Sequence, residues 1–226
     1  MQIELKCQPS NSAALVTLAP HEKIISEGGA MISMSGDMRV TTSTQQKGKG
    51  GLLAGLKRLI SGESFFLNHY TAGPSGGELL FSATLSGDMM AYTLDHDRLI
   101  VRGGAFIAGA EGVEVSANWQ GFKGVLGNGD LFWLTASGSG EVILSAFGAI
   151  YPVEVDGEYI IDTGHIVAFN ESLSFELVKA GGSWLTAIFG GEGLVCRFKG
   201  KGVVWCQSHN PSAFGGRLGP HLKPRQ

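Results

Sequence analysis

The chain has 226 residues, of which 43% are hydrophobic and only 16% are charged, so a folded protein with a substantial core is expected and a disordered chain is excluded. Its 17 basic and 20 acidic residues give a formal net charge of −3, which provides no general attraction to nucleic acid or to an anionic membrane. The 35 glycines follow no Gly-X-Y period, which excludes collagen and favours short strands joined by tight turns.

The start of the chain lacks the basic and apolar regions of a secretory signal, and no run approaches the roughly 20 apolar residues of a membrane-spanning helix. The three cysteines are too few and too irregularly spaced for a disulfide framework or a CxxC metal site. Cys196 and Cys206 lie in apolar runs, which predicts buried, reduced thiols. A cytoplasmic location is therefore expected.

One short pattern occurs three times along the chain, at 22–29, 97–104 and 158–165. Each copy has an acid, a spacer, two branched aliphatic residues, two more spacers and a glycine, and the copies align without gaps. We interpret the pattern as a strand whose aliphatic pair enters a core and whose glycine permits the following turn. A repeat of this kind predicts one structural module written three times.

Each copy is followed by the same succession of short apolar strands and turns. The first such strands are predicted at 31–34, 106–108 and 166–169, and the next strands at 38–41, 113–115 and 173–177. The last of these alternates cleanly, with Leu173, Phe175 and Leu177 on the side expected to be buried.

A second landmark recurs farther along each module. Glycine, glutamate and a run of apolar residues occur at 77–83 and 140–146, with a weaker copy at 191–196. The preceding strands are predicted at 133–136 and 184–187, and glycine-rich hairpin turns at 73–77 and 138–140. Each module is thus expected to contain about five short strands.

These patterns predict an all-β protein of three sequential sandwich modules. The predicted modules cover residues 1–94, 95–155 and 156–207, and residues 208–226 form a tail that is expected to be an extended arm.

The first module carries an insertion at 45–63 that does not have the pattern of a strand. Leu52, Leu53, Leu56, Leu59 and Ile60 have helical spacing, which predicts a short amphipathic helix between glycines. The segment is not a phosphate-binding loop, because Leu56 follows the second glycine where that motif requires lysine.

The insertion supplies the candidate binding residues of this sequence, which are basic or apolar side chains: Lys47, Lys49, Leu52, Leu56, Lys57 and Arg58. A basic amphipathic stretch can lie on a membrane surface or enter a partner's groove. The favoured interpretation is that its leucines cover an open end of the module.

The remaining polar residues form no recognisable catalytic or metal-binding constellation. The six histidines contain no HxH or HExxH pattern, and His21 and His96 occupy matching positions that favour turns. The recurring acids Glu22, Asp97 and Glu158 occur once per module, whereas paired catalytic carboxylates must lie close together. We therefore expect no enzyme activity, no cofactor and no metal.

The threefold pattern, the run at 51–67 and the polar pair Gln207 and Ser208 resemble the altered-inheritance-of-mitochondria family over nearly the whole chain. The resemblance implies three β-sandwich modules similar to the tryptophan RNA-binding attenuation protein, arranged about a pseudo-threefold axis. Mitochondrial members are associated with inner-membrane organisation, and the resemblance implies no catalytic residue. A fold alone does not transfer RNA binding.

The expected function is that of a non-enzymatic scaffold or protein-interaction protein that assembles as a homo-oligomer, since exposed sheet edges tend to be paired or covered. A small-ligand or RNA-binding module is one alternative, although the charge balance argues against nucleic acid. Attachment to a membrane surface through residues 51–60 is another.

Overall fold

The computed structural model describes residues 1–44, 66–116, 133–179 and 194–223, and antiparallel strands dominate this part of the chain. The predicted all-β class is confirmed. The strands are β1 (Gln2–Lys6), β2 (Ala13–Leu18), β3 (Lys23–Glu27), β4 (Met31–Met34), β5 (Arg39–Thr44), β6 (Phe66–Thr71), β7 (Gly77–Ser82), β8 (Met89–Arg102), β9 (Phe106–Ala110), β10 (Val113–Ser116), β11 (Trp133–Ser145), β12 (Ile150–Asp162), β13 (Ile166–Asn170), β14 (Ser174–Lys179) and β15 (Leu194–Gln207).

The helical structure within these residues is short. It consists of helix α1 (Pro211–Leu218) and the 3₁₀ turns Thr163–His165 and Gly219–His221. None of the described helices is long and apolar enough to cross a membrane.

The described strands form two sheets. The smaller has the order β1-β2-β7-β4, and the larger runs β12-β15-β13-β8-β11-β9-β3-β6-β5, with β10 on β11 and β14 on β15. Long antiparallel ladders join β8 to β11 and β12 to β15. Near the N-terminus the equivalent ladder is divided between the sheets, as β2 pairs with β7 and β3 pairs with β6.

The same order of pairing occurs in three sets of strands, which we call the first (β2–β7), second (β8–β11) and third (β12–β15) sets. In each set a short strand, β4, β9 or β13, pairs with β7, β11 or β15, and the register shifts after the first pair. The three sandwich modules, their pseudo-threefold axis and the likeness to the tryptophan RNA-binding attenuation protein stay predictions.

The buried side chains form three hydrophobic clusters, each of which draws on more than one set. One cluster combines the first set with Ala108 and Ile143 of the second set. Another combines the third set with Ile100 and Trp133 of the second set. The sets therefore stabilise one another by sharing apolar cores.

Two continuous strands run through predicted module boundaries. Strand β8 continues through the predicted boundary between residues 94 and 95, and β12 continues through the one between residues 155 and 156.

The predicted hairpin at 138–140 is wrong, because these residues lie inside β11 at a register shift. Gly138 has φ +104°, and a Cβ there would lie 2.2 Å from the carbonyl oxygen of Gly112, so glycine permits a bulge at this point. The segment 73–77 does form a turn, but β6 and β7 on either side pair with different strands.

The predicted extended tail is also corrected, since residues 211–218 form helix α1. The Asn210 side chain caps the helix by accepting from the backbone N–H groups of Ser212 and Ala213. Pro211 stands in the first turn, where its missing N–H and fixed φ favour a helix start.

Several finer predictions are confirmed. Cys196 and Cys206 are buried and unpaired, and burial raises the pKa of both thiols to about 12. His21 lies in a turn with a φ value of 64°, as predicted. The turn predicted at His96 is wrong, because His96, with a φ value of 58°, lies inside β8 opposite the register shift of β11. Leu173 is buried, while Ser174 and Glu176 on the opposite face are exposed.

The aliphatic pairs of the repeat behave less uniformly than predicted. Ile24, Leu99 and Ile100 are buried, but Ile160 in the third copy is 51% exposed. The difference arises because β3 and β8 have partners on both edges, whereas the described structure pairs β12 with β15 alone. The inserted helix at 45–63, Phe65 and the strand at 184–187 lie outside the described residues.

We expect Phe169→Ala to lower the free energy of unfolding by about 3–5 kcal/mol, because truncating a buried aromatic leaves a cavity. Phe169 is 1% exposed, and its ring lies 5.5 Å from Trp133 and 5.1 Å from Phe198. Denaturant titration measures the change, and the exposed Val40→Ala serves as control. A loss no larger than the control's would contradict the shared core between the second and third sets.

Candidate functional site

The six residues proposed from sequence, Lys47, Lys49, Leu52, Leu56, Lys57 and Arg58, lie outside the described residues. Their role as a binding surface therefore stays a prediction. The described residues form a different site, a pocket of about 370 Å³. Such a volume is within the range that small-molecule sites occupy.

The pocket lies where the turns that follow β3 and β8 meet the ends of β7, β11 and β15. Gly29 and Gly104 have φ values of +91° and +80°, a conformation that glycine adopts without a steric penalty. After each turn the chain is held by one backbone hydrogen bond, from Ser82 N–H to Ala30 and from Ser145 N–H to Ala105. The turns thereby place the residues at 27 and 102 in the pocket lining.

Glu27 is the acidic side chain of the described lining. Its carboxyl has no hydrogen-bond or ion-pair partner among the described residues, and burial raises its pKa to about 7. A carboxyl that is removed from water without a compensating partner costs stability. Groups of this kind are found preferentially at functional sites.

Arg102 and Gln207 meet at one carbonyl oxygen. Arg102 Nη1 donates to Gly164 O at 3.2 Å, and Gln207 Nε2 donates to the same oxygen at 2.9 Å. The Oε1 atom of Gln207 accepts from the backbone N–H of Phe147 at 2.9 Å. Gln207 is 4% exposed, so these bonds hold the third set against the end of β11 with its polar atoms satisfied.

The recurring acids singled out in the sequence do not meet in the structure. Glu22 accepts from the N-terminal ammonium and from the backbone N–H of Ala19, which fixes a turn. Asp97 accepts from the Tyr92 hydroxyl, and Glu158 forms ion pairs with Arg197 and Lys199. These contacts are local and support turns and strand pairs.

Sequence reasoning missed Glu27 and Arg102, because both occupy spacer positions of the repeat. The available signal was chemical: the residue directly before the repeated glycine is Glu27, Arg102 or Thr163 in the three copies. The neighbouring residues recur in all three copies, but this position carries a negative charge, a positive charge or none. Its side chain is therefore not required to form the strand. Gln207 was noted only as part of the family resemblance, and its role depends on bonds across the fold.

Comparison with known proteins decides the family. A model of the mitochondrial biogenesis AIM24 family matches residues 3–209. The chain belongs to this family. The predicted resemblance is thereby confirmed, and the matched region includes the pocket's lining up to Gln207.

Two relatives of this AIM24 protein come from Streptococcus pyogenes. One, an uncharacterized protein of serotype M6, is 29% identical over 211 residues, which are 88% of this chain and 84% of the relative. The other is an X-ray crystal structure of a protein that is 26% identical, with a TM-score of 0.80 and coverage of 98% of this chain and 99% of that one. The similarity therefore extends over the whole architecture.

We expect Glu27→Gln to stabilise the protein at pH 8 by up to about 3 kcal/mol, and to have little effect near pH 4. The folded-state pKa of about 7 lies above the ordinary value of 4.5, so the folded state binds this proton more tightly than the unfolded chain. The contribution of Glu27 to stability therefore falls as the pH rises through this interval and stays low above pH 7.

Denaturant titrations of both proteins at several pH values measure this difference. The control is Glu111→Gln, which removes an exposed carboxylate that pairs with Lys23. A Glu27→Gln variant that is less stable than the parent at pH 8 would show that the carboxyl has a stabilising partner.

Proposed function

We propose that this protein is a non-enzymatic interaction protein that assembles as a homo-oligomer by pairing β4 of one copy with β12 of the next. The observation that carries the proposal is the way in which the three sets are joined within one chain. A short strand of one set, β9 or β13, adds to the edge of the repeat-bearing strand of the preceding set, β3 or β8, so the same join occurs twice.

The two joins share one register. In the first join, Ala108 and Gly109 of β9 lie opposite Ser26 and Ile25 of β3. In the second, β13 adds to β8 in the same way, and the paired residues are Ala168 with Val101, Phe169 with Ile100 and Asn170 with Leu99. Both joins use the strand that directly precedes the repeated glycine.

The equivalent third pair would be β4 with β12, and the described residues do not form it. Each strand pairs on one edge alone in this part of the chain, β4 with β7 and β12 with β15. Both carry exposed apolar side chains: Met31, Ile32, Met34, Tyr159 and Ile160. A free strand edge with apolar side chains is a template for pairing with another chain.

The other free edges among the described strands give no such reason to expect pairing between copies. Strands β5, β10 and β14 occupy equivalent positions in the three sets, and each pairs with a single strand there. Only for β4 and β12 do the equivalent strands in the other sets have a second partner. Their association between copies would be head-to-tail, which builds a ring if the rotation closes and an open chain if it does not.

The shared register specifies which residues would meet. Transferred to β4 and β12, it places Ser33 opposite Asp162, Met34 opposite Ile161 and Ser35 opposite Ile160. Directly opposed residues in an antiparallel pair have Cα atoms about 4.5–5.5 Å apart. That separation is within the range that a disulfide can bridge.

We expect a mixture of two single-cysteine proteins, Ser35→Cys and Ile160→Cys, to form a disulfide-linked dimer under mild oxidation. Both carry Cys7→Ser, because Cys7 is exposed while the other two cysteines are buried. Neither protein alone should crosslink to the same extent. Non-reducing electrophoresis measures the dimer, and light scattering of the parent protein should give a mass above that of one chain.

The matched control replaces Ser35→Cys with Ile32→Cys, because Ile32 is exposed on β4 but lies out of register. Equal crosslinking of the control would contradict the proposed pairing. A strictly monomeric parent, or a chain that carries both cysteines and crosslinks only within itself, would contradict assembly through these edges.

A further inference from the structure

The pocket contains a negative charge for which the described protein supplies no partner. Glu27 and Arg102 are the two charged side chains of its described lining. Arg102 donates to the carbonyl oxygen of Gly164, which also accepts from Gln207. The Glu27 carboxyl makes no hydrogen bond or ion pair within the described residues.

An unpartnered carboxylate in a sheltered pocket favours a ligand that brings a positive charge and hydrogen-bond donors. A protonated amine supplies both, with three N–H donors on one compact charge. Charge-assisted hydrogen bonds of this type are stronger in a partly desolvated pocket than in water. Desolvation by burial raises the pKa of Glu27 to about 7, and a bound cation would lower it again.

The rest of the lining suits a short apolar body. Small side chains, Ala30, Ala83, Ala105 and Ala146, leave space beside Ile107 and Phe147. We infer that the pocket binds a small organic amine, whose ammonium group contacts Glu27 and whose hydrocarbon portion lies against these residues. This inference is independent of the proposed assembly, because it uses neither the β4 strand nor the β12 strand.

The test is a titration of the ¹⁵N-labelled full chain at pH 8 with three probes of equal length: n-butylammonium, n-butanol and n-butyrate. We expect n-butylammonium to shift the amide resonances of Gly28, Gly29, Gly103 and Gly104 saturably at millimolar concentration. Binding of the alcohol and the carboxylate should be weaker by about tenfold or more, because neither carries a positive charge that pairs with the Glu27 carboxylate.

Glu27→Gln should weaken n-butylammonium binding by about tenfold or more. Glu111→Gln, which removes an exposed carboxylate paired with Lys23, should leave it unchanged. Glu27→Gln keeps the size of the side chain and removes a half-buried charge, so its spectrum should show a folded protein.

The pH dependence separates Glu27 from its titratable neighbours. His165 contacts Gln207 O through Nδ1, and the His209 ring lies 5.0 Å from that of Phe147. If Glu27 governs binding, affinity for n-butylammonium rises between pH 6 and pH 8, and Glu27→Gln abolishes the rise. A rise that persists in the variant would assign it to a histidine and overturn the role of Glu27.

Three further outcomes would overturn the inference. Equal affinity for the three probes would show an apolar pocket without recognition of charge. Preference for n-butyrate would assign recognition to Arg102. The absence of saturable shifts with n-butylammonium would show that the pocket does not bind amines.

Discussion

Every strand edge presents backbone N–H and C=O groups that require a partner, and this constraint organises the described fold. Long ladders with β11 and β15 provide hydrogen-bond partners for one edge of β8 and one edge of β12. The short strands β9 and β13 then satisfy a second edge in the preceding set. Because each short strand follows a glycine turn, the same pairing draws the ends of several sets together. The pocket is a consequence of that convergence.

The pocket and the strand edges use the repeat in different ways. At the strand edges the repeat is useful because its copies are alike, so the same register is available for a further strand pair. In the pocket it is useful because its copies differ, since Glu27 and Arg102 occupy equivalent positions with opposite charge. A half-buried carboxyl without a partner costs stability, and groups of this kind are found preferentially at functional sites.

Much of the fold could be predicted from local patterns. Alternation indicated the strand that contains Phe175, and the threefold motif located β3 and the ends of β8 and β12. Strand length could not be predicted, because Gly138 permits a bulge as readily as a turn, and its place inside β11 is seen only in the pairing of β11 with β8. The helix at Pro211 was not predicted, because it depends on the Asn210 side chain, which caps the first turn, and on proline at the helix start. The pocket depends on contacts between distant turns, which no local pattern reveals.

Hydrogen exchange at two protein concentrations tests most directly the claim that β4 and β12 complete each other between copies. Amides on the outward edges of β4 and of residues 160–162 should exchange more slowly at the higher concentration, while the exposed amides of β5 should not change. Exchange that is independent of concentration at both β4 and β12 would contradict the account.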